Sequence, residues 1–129
     1  MTSLVSDGTV RAPVVTATRP RSQSMVEIDL DGARWRVVPL AAAARAGITN
    51  GVVLDRQRAR TLNRARRAER ALASAVRILR YGDQSRATLD TKLELRGVAS
   101  RDRERAVEML VTARVVDDAR FARSRAAAL

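Results

Sequence analysis

The stretch from Arg56 to about Arg80 constrains this chain more than any other. It contains neither proline nor glycine, and it carries nine arginines against the single acid Glu69. Leu62, Ala65, Leu72, Val76 and Leu79 recur at three- and four-residue spacing, while Arg56, Arg60, Arg64, Arg67 and Arg70 fall on the other side. That pattern predicts one long amphipathic helix. Like charges at these spacings repel by roughly 0.2–0.5 kcal/mol per pair, so the arginine face works against the isolated helix. Two readings compete for it: a solvated surface and a binding surface. An ordinary solvated face interleaves both signs and this one barely does, which favours binding.

The charge balance points the same way. The formal net charge is +11, and every cation is arginine except Lys92. Such a chain suits an acidic partner, either nucleic acid or a protein with an acidic groove, because the planar guanidinium fork fits phosphate and carboxylate alike. Hydrophobic residues make up 46% of the sequence, but much of that is alanine, and the only aromatics are Trp35, Tyr81 and Phe121. A thin core in one or two small domains is the expectation.

Several chemistries lack their residues. Without histidine or cysteine there is no imidazole base, thiolate nucleophile or ordinary zinc site. The six glycines form neither a P-loop nor a dinucleotide fingerprint. Ser85 and Lys92 lie two helical turns apart, about 10 Å of rise, too far for proton transfer. Adjacent Asp117 and Asp118 read as helix-capping groups rather than metal ligands. The expectation is therefore no enzyme, no cofactor and no metal. No apolar run approaches the ~20 residues of a membrane span. Asp7, Arg11, Pro13, Arg19 and Pro20 interrupt any signal-peptide core. A cytoplasmic protein without membrane contact is expected.

Along the chain, residues 1–24 are rich in Ser, Thr, Pro and Arg and read as a disordered tail. Residues 25–54 read as a β-hairpin and a short helix. Val26, Ile28 and Leu30 alternate with Glu27 and Asp29; after the Asp31-Gly32 turn, Ala33, Trp35 and Val37 alternate with Arg34 and Arg36, and Pro39 closes the strand. Leu40 to Ala46 forms an alanine-rich helix that Gly47 ends, and Asn50-Gly51 makes a turn. Residues 55–129 then hold the basic helix, capped by Asp55, and a helical array.

In that array Tyr81-Gly82-Asp83-Gln84 is a turn and Ser85 caps a helix running to Arg96, with Leu89 and Leu93 as its apolar stripe and Gly97 as its stop. Ser100 starts the next helix, with Asp102 and Glu104 in its first turn. Ala106, Val107, Leu110 and Val111 form its buried side, and Met109 fills a gap beside them. Val115-Val116-Asp117-Asp118-Ala119-Arg120-Phe121-Ala122 opens a last helix.

The order of an apolar helix (Ala75-Val76-Arg77-Ile78-Leu79), a Ser-capped helix (Ser85, Leu89, Lys92, Leu93, Arg96, Gly97) and an Asp-Asp-x-Arg-Phe-Ala turn resembles the three-helix repeat of the RecX regulatory family. The resemblance covers roughly the last two-fifths of the chain. It implies a mainly α fold: an N-terminal β-hairpin plus short helix, the long basic helix, one complete three-helix repeat and the first helix of a next repeat. Two positions depart from the family pattern. Thr88 stands where a glutamate usually completes the capping box with Ser85 and pairs with Lys92, a loss of about 1 kcal/mol. Arg114 replaces a frequent glycine and is strained by ~1 kcal/mol if that position needs positive φ. By resemblance, Asp117 and Asp118 cap the last helix, Arg120 completes the motif, and Phe121 plugs the junction between repeats; its loss to Ala would cost ~3 kcal/mol or more if buried.

The resemblance further implies a modulator of the RecA recombinase in DNA repair, recombination and the SOS response. Such a protein binds the recombinase–DNA filament, restrains strand exchange and its coupled ATP hydrolysis, and has no catalytic site. The expected contact residues are Arg56, Arg60, Arg64, Arg67, Arg70, Arg77, Lys92 and Arg96, facing acidic side chains or DNA phosphates directly or through the filament. RecX-like proteins generally stack three repeats, whereas this chain reaches Leu129 about where a second would start, so oligomerisation through the C-terminal helix is a further expectation. A different reading makes the chain a free-standing basic DNA- or RNA-binding helical module. A third is an inactive remnant.

Overall fold

A computed structural model describes residues 3–4 and 10–128. Five short strands precede five helices: β1 (Ser3–Leu4), β2 (Val10–Arg11), β3 (Val15–Pro20), β4 (Met25–Leu30), β5 (Ala33–Pro39), α1 (Leu40–Arg45), α2 (Arg56–Leu79), α3 (Arg86–Leu95), α4 (Ser100–Thr112) and α5 (Asp118–Ala128). The chain divides into two compact units, residues 1–69 and 70–129, and the division falls within α2. The sequence placed its boundary at 54/55, where the charge pattern changes. The first turns of α2 instead belong with the sheet, because Ala59, Leu62 and Ala65 pack into that unit's core.

In the first unit the predicted hairpin is present, with β4 and β5 antiparallel around an Asp31-Gly32 turn at φ 51° and 83°. Both residues adopt positive φ, as a tight two-residue hairpin turn requires. The hairpin is not alone. β3 pairs antiparallel with β4 to give a three-stranded sheet in the order β3-β4-β5, and β1 pairs with β2. The disordered tail expected over residues 1–24 is thus corrected for its described part. The run Val14-Val15-Thr16-Ala17-Thr18 is β-branched at four of five positions, and the β4 edge supplies the backbone partners it needs. Residues 1–2 and 5–9 lie outside the described part.

The inner face of the sheet carries Val15, Val26, Ile28, Leu30 and Val38, joined by Ala42, Ala43, Ala46, Ile48, Leu54, Leu62 and Ala65. Trp35 only flanks this core and Val37 is exposed. The strict alternation expected for β5 fails because the register shifts between Ile28 and Asp29, so that Val38 faces inward. α1 ends at Gly47, φ 66°, and Arg58 reaches back to that end: its Nη1 donates to the carbonyls of Ala46 (2.6 Å) and Gly47 (3.1 Å). Asp55 caps α2 as expected, its Oδ1 accepting from the Arg58 amide at 2.8 Å.

The second unit is helical. Its core joins Ala75 and Ile78 of α2, Leu89 and Leu93 of α3, Val107 and Leu110 of α4, and Val116. Leu72, Leu79, Val98 and Val111 pack at its margin. The stripe predicted for α2 is partly corrected here: Val76 is exposed, and Ala71, Ala75 and Ile78 are buried instead. A single helix serving two cores does not keep one apolar stripe along its length. Ser85 caps α3 through the Thr88 amide, and Gly97 takes φ 82° after its last turn. Met109 is 44% exposed rather than filling a core gap. α5 buries no residue, and Phe121 is only half-buried. The plug role that the resemblance gives Phe121 asks for a buried ring, and among the described residues the ring stays half-buried.

Candidate functional site

Arg56, Arg60 and Arg64 recur every fourth residue on the first-unit part of α2, all three exposed. None of them reaches a carboxylate or a hydrogen-bond acceptor among the described residues. Arg67 is exposed too, and it is not without a partner. The one acid of the helix, Glu69, pairs with Arg45 of α1 at 3.5 Å and so does nothing to neutralise them. The result is a row of guanidiniums of one sign about 6 Å apart along the axis, the rise of four helical residues. In the second unit, Arg70 and Arg77 are exposed on α2, and Lys92 and Arg96 are exposed four residues apart on α3. The predicted contact residues are thus all accessible. Arg58, which belongs to the same sequence run, is not among them; it is half-buried and fastens α1.

The repeat motif is assembled largely by polar bonds. The Asp117 Oδ1 accepts from the Arg120 amide at 3.0 Å, which caps α5. That bond, with a weaker one from the Ala119 amide, holds the Asp117 carboxyl below the usual carboxylate range. Asp118 does something the sequence did not suggest: its Oδ1 accepts from the Arg86 amide at 2.7 Å, in the first turn of α3. The two carboxylates therefore serve different helices and do not converge on a cation site. No group of three His, Cys, Asp or Glu side chains that could hold a metal occurs among the described residues.

Arg120 donates to the carbonyls of Arg114 (3.3 Å) and Val115 (2.7 Å) and lies 3.8 Å from Asp83, closing the turn between α4 and α5. Arg86 pairs with Glu108 of α4. Arg103 joins α4 to α3 through Asp90 (3.1 Å) and the Val98 carbonyl (2.8 Å). In place of a capping-box contact, the Ser85 hydroxyl donates to the Thr88 Oγ1 at 2.8 Å. Arg114 occupies φ 60°, the left-handed conformation expected where glycine is frequent.

Another cluster escaped the sequence reading. On the outer face of the sheet Glu27 is only 3% exposed, held by Arg34 Nε at 2.5 Å, Arg21 at 2.8 Å and Arg19 at 3.2 Å. Arg19 also binds Asp29 at 2.6 Å. The Arg34 hydrogen bond is the largest of the effects that push the Glu27 carboxyl down to about 2, against the opposing effect of burial. Alternation placed Glu27 outward, which is correct. Its cover of arginines is not legible in the sequence, because Arg19 and Arg21 fall in a stretch whose composition reads as a tail.

Among the described residues, no helix is long and apolar enough to cross a membrane. No family model matches the chain, and no curated protein matches it. The described fold is similar to a solved structure, the crystal structure of regulatory protein RecX, with a TM-score of 0.80 and 18% sequence identity over 88% of this chain. The chain spans 56% of the length of that protein. A likeness at this identity is one of fold: this chain is built like the regulatory protein RecX.

Proposed function

We propose that this chain is a regulatory protein that binds a RecA-type recombinase–DNA filament and restrains its strand exchange and ATP hydrolysis. The observation that carries the reading is the likeness in fold to regulatory protein RecX. The Ser85, Asp117-Asp118 and Arg120 bonds support it, because they are the motif residues that carried the sequence resemblance: Ser85 and Asp117 cap α3 and α5, Asp118 ties α5 to α3, and Arg120 closes the α4–α5 turn. In this reading Arg56, Arg60 and Arg64, with Arg67, Arg70, Arg77, Lys92 and Arg96 in support, meet the anionic surface of the filament, DNA phosphates or acidic side chains. Arginine suits both through charge-assisted, bidentate hydrogen bonds. The protein does no bond-making itself; it acts by occupying the filament.

The test is to add purified protein to preformed filaments and follow their ATPase activity. Inhibition that rises with protein concentration is expected, and it should be lost when Arg56, Arg60 and Arg64 are each replaced by Glu. Undiminished ATPase activity at several-fold excess over recombinase refutes the reading. A second reading, a free-standing basic DNA- or RNA-binding module, is favoured by the unpaired guanidiniums alone. Duplex binding that falls steeply with salt and is indifferent to recombinase would select it.

A further inference from the structure

We propose that the outer face of the β3-β4-β5 sheet is a nucleic-acid surface in its own right, on which Glu27 holds Arg19, Arg21 and Arg34 as a preformed cradle for the phosphates of a single strand. The inference goes beyond the filament reading and shares none of its residues.

Three features carry it. The first is the burial of Glu27 on the face turned away from the apolar core. An apolar side chain would cover a sheet face as well, since replacing a buried ion network by apolar residues is often neutral or stabilising. The network is therefore poorly explained as a stabilising device. The second is its charge: three guanidiniums surround two carboxylates, Glu27 and Asp29, which leaves a surplus cation on a small area. The third is what the arginines leave unused. Their bonds to Glu27 and Asp29 employ Nη2 of Arg19, Nη1 of Arg21, and Nε and Nη2 of Arg34. Nε and Nη1 of Arg19, Nε and Nη2 of Arg21, and Nη1 of Arg34 meet no acceptor among the described residues, and the three side chains are 49, 50 and 66% exposed.

A guanidinium already held by a carboxylate loses little further freedom on meeting a ligand, so its remaining donors are preorganised. A phosphodiester offers two free oxygens to such donors. The occupant is a strand rather than a small anion because the three guanidiniums lie open to solvent and no pocket encloses them among the described residues. A polymer brings successive phosphates, and its sugars and bases find Val37, 39% exposed and directly opposite Glu27 in the register.

The sharpest test concerns the sign of one substitution. Glu27→Gln raises the net charge by one, so attraction at a distance alone would tighten binding of any polyanion; loss of the anchor should loosen it. The full chain is titrated, without recombinase, with a fluorescein-labelled oligothymidine across a salt series, reading anisotropy. Glu27→Gln is expected to bind more weakly. The triple variant R19Q/R21Q/R34Q should lose about 0.7 from the log–log salt slope for each phosphate contact removed. Arg21→Gln, in an exposed turn, leaves Arg19 and Arg34 on Glu27 and guards against misfolding; with an unchanged thermal melt it should still weaken binding, also in an R56Q/R60Q/R64Q background. The proposal is overturned if Glu27→Gln binds as tightly as the parent or tighter, or if Arg21→Gln changes nothing. It is equally overturned if polyglutamate displaces the strand as well as unlabelled oligothymidine does. Failure of the filament ATPase test would leave these results untouched.

Discussion

The two units place their paired arginines differently. In the sheet unit the guanidiniums gather on side chains and on one helix end: Arg19, Arg21 and Arg34 enclose a carboxylate, Arg58 holds the end of α1, and Arg56, Arg60 and Arg64 are left over. In the helical unit they act as fasteners between helices, with Arg86 on Glu108, Arg103 on Asp90 and the Val98 carbonyl, and Arg120 on two carbonyls of the α4–α5 turn. The difference follows from burial. The sheet unit closes around Val15, Ile28, Val38 and Leu62, all at most 1% exposed, whereas α5 of the helical unit buries nothing and is attached by caps and cations. Where apolar area is scarce, charge-assisted hydrogen bonds to backbone define the geometry.

Substitutions can break or sharpen that contrast. The largest effect is expected in the cores: Ile28→Ala in the sheet unit and Leu93→Ala in the helical unit should each cost about 2–5 kcal/mol in chemical denaturation. Near-equal losses would show that the helical unit depends on its small core as much as the sheet unit does on its larger one. Gly47→Ala comes next, at about 1–2 kcal/mol, because the residue sits at φ 66° and a Cβ there would lie 2.7 Å from Arg58 Nη1. Arg58→Ala should relieve the contact and leave only the backbone strain, which a double-mutant cycle measures.

Phe121→Ala should cost roughly 1 kcal/mol, well below the ~3 kcal/mol of a buried phenylalanine, because half of the ring already meets solvent or the Arg125 guanidinium at 5.9 Å. A loss of the full buried value would mean that α5 packs far more tightly than described. The pH dependence of stability isolates the Glu27 network. Its carboxyl, held near 2 when folded against an ordinary value of 4.5, favours the folded state fully above about 4.5, and that contribution fades as the pH falls toward 2. Glu27→Gln should flatten the stability profile over that interval and change it little in slope above pH 6. An unchanged acid limb would remove Glu27 from the account.

Much of this architecture is legible in the residues, for reasons that can be named. Asp31-Gly32 marks a hairpin because both positions need positive φ, and Ser85 and Asp55 cap helices because short polar side chains satisfy first-turn amides. What escaped was decided by partners distant in sequence. The strand Val15–Pro20 exists because β4 offers an edge. Val76 lost its expected burial to Ile78 because α2 contributes to two cores. Phe121 has the identity of a core residue without a core to enter. The candidate surface on α2 was readable from charge alone, whereas the Glu27 cluster required the strands to be placed first.

The bond from Asp118 to the Arg86 amide has an experimental use. Amides in the first turn of a helix ordinarily exchange with solvent quickly, for want of an intrahelical acceptor. This one is tied to a carboxylate thirty-two positions later in the chain. Its deuterium uptake is therefore a built-in clock for the closing of α5 onto α3: slow while the last helix is seated, fast the moment it lifts.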